Sequence, residues 1–222
     1  MAADPQRIRM TLEEYFQMND KSDIKYEYHH GYAIAQAGGT GGHSRVKVNL
    51  TQLMNEQLYS GPCYVYDADM LVEVAEDVRV YPDLTVSCDV ADHTPGNTVV
   101  RSPHFLIEVL SPSTESTDRL EKSVEYRACA SVEEYALVST RYQMVEVFRK
   151  IRGEKGEEWV HHVYHPGQEA EFASLDITIP VSAIYHRTGV PLIEDVPPLP
   201  GPKKSKAVSG NDQEAIEKGP VL

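Results

Sequence analysis

Two apolar stretches, YPDLTV at residues 81–86 and FLIEVLSPST at residues 105–114, carry most of the information in this sequence. Their Val, Ile and Tyr residues favour strands, although short apolar runs do not by themselves separate strand from buried helix. The second stretch has a carboxylate, Glu108, inside an apolar run. A buried charge there is costly unless a cation or dense hydrogen bonding compensates it. We therefore expect two buried strands that present Asp83 and Glu108.

The composition indicates one domain with one sizeable core. The chain has 222 residues, and 34 acidic residues against 21 lysines and arginines give a net charge of −13. Such a charge argues against a protein that coats nucleic acid with its whole surface. A local basic group, Arg141, Arg149, Lys150, Arg152 and Lys155, fits either a solvated hairpin or a phosphate-contact surface.

The cysteines and the hydropathy indicate the compartment. Cys63, Cys88 and Cys129 are widely spaced and odd in number, which supports neither a disulfide framework nor a zinc knuckle. A reducing cytoplasm fits best. There is no apolar run of signal-peptide type at the N-terminus, and none approaches the roughly 18 residues that span a bilayer. We expect a soluble cytoplasmic protein without membrane association.

Local patterns predict the order of the elements. A capping box at residues 11–14 predicts a short N-terminal helix, and apolar spacing from His43 to Leu58 predicts a second helix. The glycines of residues 38–42 predict a flexible loop, because the lysine of a P-loop is missing. A polar helix is expected from Glu115 to Cys129, and a short last helix at residues 182–185. Further strands are expected within residues 25–35, 63–66, 70–74, 131–138, 144–149 and 157–163.

This order predicts an α/β fold of mixed α+β type, with a mixed β-sheet flanked by helices. Past Gly189 the composition shifts to Pro, Lys, Ser, Gly and acids. Such a segment cannot bury enough apolar surface to pack on a core. We therefore predict one domain at residues 1–189 and a disordered tail at residues 190–222.

Several side chains suit metal-assisted chemistry. Asp83 follows a proline at a strand end, and together with the Glu108 carboxylate it suits a hard divalent cation. Asp118 and Lys122 lie on one helix face, either as an exposed ion pair or with Lys122 turned back over the carboxylates. Glu27 is a candidate for a further carboxylate. His43 is a candidate either to contact a phosphate or to cap a helix.

Two other chemistries lack support in the sequence. The histidine pairs at residues 29–30 and 161–162 are adjacent, and neighbours on a strand point to opposite faces, so neither pair makes a good metal clamp. The serines have no Gly-x-Ser-x-Gly context. This leaves hydrolysis by a Ser-His-Asp triad without support.

The order of these motifs resembles the Uma family of restriction-endonuclease-like proteins, which is placed in the PD-(D/E)XK nuclease superfamily. The resemblance runs from about Thr11 to Tyr185 and excludes the tail. Its most specific part is EVLSPST at residues 108–114 after the Pro-Asp strand, with weaker motifs at residues 12–15, 26–31, 43, 118–126 and 131–135. The resemblance implies a restriction-endonuclease-like core.

The resemblance also implies roles for site residues. Asp83 and Glu108 match the metal-binding carboxylates, and Glu27 matches an additional acid from the N-terminal part. The superfamily pattern places a lysine two residues after the second acid, where this chain has Leu110. The resemblance suggests that Lys122 on the following helix replaces it.

We expect a Mg²⁺- or Mn²⁺-dependent DNA endonuclease that hydrolyses phosphodiester bonds, with DNA as its partner and a homodimer as its assembly. Lys122 would position the water and stabilise the pentacovalent transition state, leaving a 3′-hydroxyl. One alternative is a catalytically inactive nuclease-fold module that binds nucleic acid or a protein partner, favoured by the missing lysine. Another is a metal-dependent hydrolase of a small phosphoester, favoured by the negative charge.

Overall fold

The computed structural model describes residues 7–36, 38–111, 115–154 and 156–195. The strands are β1 (Arg7–Arg9), β2 (Tyr26–His29), β3 (Tyr32–Ala35), β4 (Tyr64–Asp67), β5 (Leu71–Ala75), β6 (Val78–Val80), β7 (Leu84–Ser87), β8 (Val99–Val100), β9 (Pro103–Leu110), β10 (Glu134–Ser139), β11 (Val145–Gly153), β12 (Gly156–Tyr164), β13 (Glu169–Phe172) and β14 (Ile177–Pro180). The helices are α1 (Leu12–Asn19), α2 (Gly41–Leu58), α3 (Glu115–Thr117), a π-helical turn (Asp118–Lys122), α4 (Ser123–Ala128) and α5 (Val181–Ile184), with 3₁₀ turns at Ala173–Leu175 and Ile193–Asp195.

The strands form two six-stranded sheets and one hairpin. One sheet has the order β1-β3-β2-β6-β5-β8, the other has the order β12-β11-β10-β9-β7-β4, and β13 pairs with β14. In the second sheet β9 and β10 are parallel and the other neighbours are antiparallel. The predicted mixed α/β architecture with flanking helices is confirmed.

The central strand β9 is buried on both faces, which explains its nearly continuous apolar sequence. Phe105, Ile107 and Val109 pack in a core cluster that includes residues of α2, and Leu106 and Leu110 pack in another. Side chains alternate along a strand. Glu108 therefore belongs to the face of Leu106 and Leu110, as the sequence predicted.

The two N-terminal helices begin at side-chain caps. The Thr11 hydroxyl accepts from the backbone N–H of Glu14 at 3.2 Å, and the Glu14 carboxylate accepts from the N–H of Thr11 at 2.8 Å, which confirms the capping box. Helix α2 begins at Gly41, two residues before the predicted start. The hydroxyl of Thr40 accepts from the N–H of His43 at 3.3 Å. The predicted loop at residues 38–42 is therefore shorter, because this cap draws its last two glycines into the helix.

The expectation against a disulfide is wrong for one pair of cysteines. Cys63 and Cys88 form a disulfide, and Cys129 is buried as a free thiol. The antiparallel pairing of β4 with β7 sets Tyr64 opposite Ser87. Cys63, directly before β4, therefore lies beside Cys88, directly after β7. Spacing along the chain does not show this register. The disulfide removes the cysteine argument for a reducing compartment, and a cytoplasmic location stays a prediction.

Two arginines of the predicted basic group form ion pairs on the β11–β12 hairpin. Arg149 lies 2.8 Å from Glu134, and Arg152 lies 2.6 Å from Glu133. Lys155 lies outside the described residues. These pairs favour the interpretation as a hairpin surface over a phosphate-contact surface.

The predicted tail falls largely outside the described residues, which end at residue 195. The residues just after Gly189 contact the domain. Val190 is 7% exposed, and Gln143 donates its side-chain amide to the carbonyl of Val190 and its backbone N–H to that of Pro191, both at 2.9 Å. The boundary at residue 189 stays a prediction. Within the described part of the chain, no helix is both long and apolar enough to cross a membrane.

Candidate active site

A cleft of about 570 Å³ collects the acids that the sequence singled out. Its walls come from β2, the first turns of α2, the entry to β7, the strand β9 and the π-helical turn. The cleft is lined by Glu27, Asp83, Glu108, Asp118 and Lys122, and also by His43 and Lys47. The structure thus brings together every candidate residue, although the chain supplies them from five separate segments.

Asp83 lies directly before β7, at the strand end where the sequence placed it. Its Oδ2 accepts from the N–H of Val109 at 2.8 Å. Nζ of Lys47 lies 2.9 Å from Oδ1, and Nε2 of His43 lies 3.3 Å from Oδ2. Burial raises the pKa of Asp83, but the hydrogen bond from His43 and the charge of Lys47 outweigh burial, and the pKa is lowered. Asp83 is therefore a carboxylate with a cation beside it.

Glu108 is 4% exposed and lies near the end of β9. Its Oε1 accepts from the hydroxyl of Tyr126 and from Nζ of Lys122, the latter at 3.0 Å. Burial raises the pKa of Glu108 well above its usual range. The charge of Lys122 offsets this rise only in part, because repulsion from Asp118, Asp83 and Glu27 acts in the same direction as burial. Glu108 therefore holds a proton more readily than Glu27 or Asp83, whose pKa values are lowered.

Lys122 is the buried cation among these acids, with an exposed fraction of 5%. Its Nζ lies 2.9 Å from Glu27, 3.0 Å from Glu108 and 3.5 Å from Asp118. Burial lowers its pKa, but attraction from Glu108 and Glu27 outweighs burial and raises the pKa above its usual range. The i,i+4 pair with Asp118 exists, but the interpretation as an exposed pair is wrong. Both residues belong to the π-helical turn, a feature frequent at functional sites.

Glu27 anchors Lys122 from β2. Its Oε1 also accepts from the side-chain amide of Gln36 at 3.1 Å and from the N–H of Tyr81 at 2.9 Å, and Nε2 of His29 lies 3.4 Å from Oε2. Burial raises the pKa of Glu27, but the charges of Lys122 and His29 outweigh burial and lower it to about 2. Glu27 is therefore an ionised carboxylate in direct contact with the lysine.

The donor set fits a hard divalent cation. In the described residues no three or more Asp, Glu, His or Cys side chains converge as a ready-made metal-binding group. Mg²⁺, however, usually keeps several waters and is held by one or two carboxylates. The repulsion that Asp83 and Asp118 exert on Glu108 is the repulsion that a dication would relieve. The residues present therefore fit an ion held by Asp83 and Glu108 together with water.

The structure adds residues that sequence reasoning did not assign. Lys47 follows His43 by four residues on α2, so its helical spacing was a usable signal. Tyr126 follows Lys122 by the same interval. Gln36 follows a predicted strand, and no pattern in the sequence indicates that it reaches Glu27.

Comparison with known proteins identifies the family of this chain. The Uma2 family, described as "Putative restriction endonuclease", matches residues 12–182. The uncharacterized protein slr1290 of Synechocystis sp. is 29% identical over 178 residues, which cover 80% of this chain and 92% of that protein. A second Synechocystis protein, the uncharacterized sll1609, is 28% identical over 144 residues, which cover 64% of this chain and 81% of that protein.

A solved structure has a similar fold. The crystal structure of a "putative nuclease belonging to DUF820" from Anabaena variabilis matches with a TM-score of 0.59 at 17% identity, covering 79% of this chain and 97% of that chain. The predicted restriction-endonuclease-like core and the predicted family are confirmed. The chain belongs to the Uma2 family of restriction-endonuclease-like proteins.

Proposed function

We propose that the protein is a Mg²⁺- or Mn²⁺-dependent DNA endonuclease that hydrolyses phosphodiester bonds. The observation that carries the proposal is the buried Lys122, held between Glu27 and Glu108. Asp83 lines the same cleft. Two acids and a lysine are the side chains that metal-assisted phosphodiester cleavage needs, and the family membership supports a nuclease.

Each side chain has a role that follows from its contacts. Asp83 and Glu108 would hold the ion. When bound, the ion would lower the pKa of a water molecule and offset the charge of the phosphate. Lys122 orients the attacking water and offsets the charge that develops on the pentacovalent phosphate. Glu27 keeps Lys122 protonated and fixed in direction.

The charge of the cleft sets how a substrate approaches. Lys47 supplies local positive charge beside Asp83, and the ring of His43 lies on the same carboxylate, where a backbone phosphate would approach. The whole chain carries a net charge of −13, which opposes DNA binding at long range. We therefore expect DNA binding to depend strongly on the divalent ion, and cleavage to leave a 3′-hydroxyl.

A second candidate function is nucleic-acid binding without cleavage. One observation favours it: both oxygens of Asp83 already have protein partners, namely Lys47 on Oδ1 and His43 with the Val109 N–H on Oδ2. An ion that binds Asp83 has to compete with these partners.

We also propose a homodimer, because two clefts related by a two-fold axis match the two antiparallel strands of a duplex. Sedimentation with and without DNA tests the assembly. A monomer in both conditions would remove this part of the proposal.

Cleavage of supercoiled plasmid and of a chromogenic phosphodiester, each with Mg²⁺, Mn²⁺ or EDTA, tests the function. We expect cleavage of plasmid with either ion, and its loss in Asp83→Asn and Glu108→Gln. Asp69→Asn is the matched control, because Asp69 lines the same cleft but its side chain is 81% exposed and pairs with Lys25. DNA binding without cleavage would support the second candidate, and cleavage of the small diester alone would support a phosphoesterase.

A further inference from the structure

A buried histidine lies behind the candidate active site. His29 is 4% exposed. Its Nδ1 lies 2.8 Å from Oε1 of Glu125 on α4, and its Nε2 lies 3.4 Å from Oε2 of Glu27 on its own strand. Both ring nitrogens thus face a carboxylate, and only the imidazolium form can donate to both.

The surroundings of His29 stabilise its imidazolium form. Burial acts to lower the pKa of His29, but the hydrogen bonds that its ring donates to Glu125 and Glu27 outweigh burial and raise the pKa to about 9. The strand β6 places Val78 opposite His29. Further ionisable side chains lie next to these partners: Lys122 contacts Glu27, His30 contacts Glu125, and Arg79 on β6 pairs with Glu73.

The two carboxylate oxygens of Glu27 face different cationic side chains. Oε2 faces His29, and Oε1 faces the ammonium of Lys122 at 2.9 Å. Fixing one oxygen fixes the plane of the carboxylate and therefore the direction of the other. A positive charge on His29 also keeps Glu27 ionised, and an ionised Glu27 is what holds the charged Lys122 in place.

We propose that His29, anchored by Glu125, is a positioning residue that fixes Glu27 and through it orients Lys122 towards Glu108. His29 is absent from the lining of the cleft among the described residues, and its role is to act through Glu27. The catalytic consequence rests on the proposed function. The electrostatic coupling of His29 to Glu125 and Glu27 can be measured without any catalytic activity.

The first experiment compares His29→Gln with wild type in single-turnover plasmid cleavage and in Mn²⁺ affinity. We expect the rate to fall roughly tenfold or more, as for other residues that orient a ligand or catalytic group, with Mn²⁺ affinity within about twofold. His30→Gln is the matched control, because His30 is the adjacent histidine but its side chain is 62% exposed. We expect it to cleave as the wild type does. Equal rates for His29→Gln and wild type would overturn the proposal.

The second experiment uses the pH profile, which a merely structural role would not move. With His29 charged below about pH 9, the wild-type rate should decline as pH rises through that value. Glu125→Gln removes one negative partner and lowers the pKa of His29, so the decline should begin at a lower pH. A rate reduced by the same factor at every pH would indicate structural damage and overturn the proposal.

The third experiment needs no activity. A ¹⁵N imidazole NMR titration of wild type should show His29 as an imidazolium well above pH 7, and Glu125→Gln should move that transition to lower pH. If wild type cleaves no substrate, the proposed function fails while this titration still decides the coupling. If His29→Gln does not fold, the wild-type and Glu125→Gln titrations decide it. A His29 that titrates near its ordinary pKa of about 6.5 would overturn the proposal.

Discussion

The ammonium nitrogen of Lys122 lies 3.0 Å from Oε1 of Glu108, and both side chains are buried. The glutamate comes from β9 and the lysine from the π-helical turn that follows it. The position two residues after Glu108, where the superfamily pattern has its lysine, is occupied by Leu110, which packs in the core. The acid–lysine pair is therefore formed between a strand and a helix.

We expect Lys122→Ala to reduce turnover by orders of magnitude and to destabilise the fold by about 3–5 kcal/mol, because it leaves buried carboxylates without their cation. Mn²⁺ should restore part of the stability, since it binds the native state. Thermal unfolding in EDTA and in Mn²⁺ measures both effects. Lys25→Ala is the control, because Lys25 pairs with the exposed Asp69 and should cost less than about 1 kcal/mol. Unchanged turnover in Lys122→Ala would exclude the lysine from the chemistry.

Glu27→Gln and Glu108→Gln should change stability with opposite dependence on pH. The folded-state pKa of Glu27 is lowered to about 2, so ionised Glu27 contributes stability above its unfolded pKa of roughly 4.3 that is lost as pH falls towards 2. The pKa of Glu108 is raised, so Glu108 contributes stability below that unfolded value that is lost as pH rises through its folded pKa.

Relative to wild type in EDTA, Glu27→Gln should therefore become less stable as pH rises from 2 to 7, and Glu108→Gln more stable. Urea unfolding across this pH range measures both differences. The same sign for the two variants would contradict the assignment of charge in the cleft. If Glu108→Gln unfolds the protein at neutral pH, Glu108 is the acid of a structural salt bridge.

Asp83→Asn should abolish metal-dependent cleavage and leave the protein folded. The Asn amide oxygen can still accept from the N–H of Val109, which Asp83 bonds at 2.8 Å, while the charge that pairs with Lys47 is lost. We expect Mn²⁺ affinity, measured by calorimetry, to fall at least tenfold as one of two ligands loses its charge. Asp69→Asn should retain wild-type affinity, and full activity of Asp83→Asn would remove Asp83 from the site.

A thiol count tests the disulfide. The chain has three cysteines, and Cys129 is the free one. Protein unfolded without reductant should therefore titrate one thiol, and three after reduction. The Cys63→Ser, Cys88→Ser double variant should lose about 2–4 kcal/mol of stability. Three thiols without reductant would contradict the pairing.

Two truncations separate the tail from the domain. Removing residues 196–222 should leave the melting temperature unchanged, because the composition of this segment gives it little to bury. Removing residues 190–222 should lower it, because Val190 is buried and Gln143 bonds the carbonyls of Val190 and Pro191. Equal melting temperatures for the two truncations would show that residues 190–195 add no stability.

Sequence predicted the acids and the strands that present them because their signals are local, but it did not predict the strands β1, β6, β8, β13 and β14. Asp83 after a proline and Glu108 in an apolar run are visible within a few residues. The contacts of His29, the Cys63–Cys88 disulfide and the N–H of Tyr81 on Glu27 depend on strand register and sheet order. Such pairings join distant segments of the chain, and no local pattern in a single sequence encodes them.

The number of residues in the π-helical turn has a structural consequence of its own. Leu120 is in the middle of this turn and is 68% exposed. A π-helical turn closes i→i+5 hydrogen bonds in place of i→i+4, so it holds one residue more than an α-helical turn. Deleting Leu120 would let the turn close as an α-helix, with Lys122 three residues after Asp118 instead of four. Leu120 thus sets the spacing of Asp118 and Lys122 although it does not line the cleft, and a relative with one residue fewer here should hold its lysine differently against the strand acid.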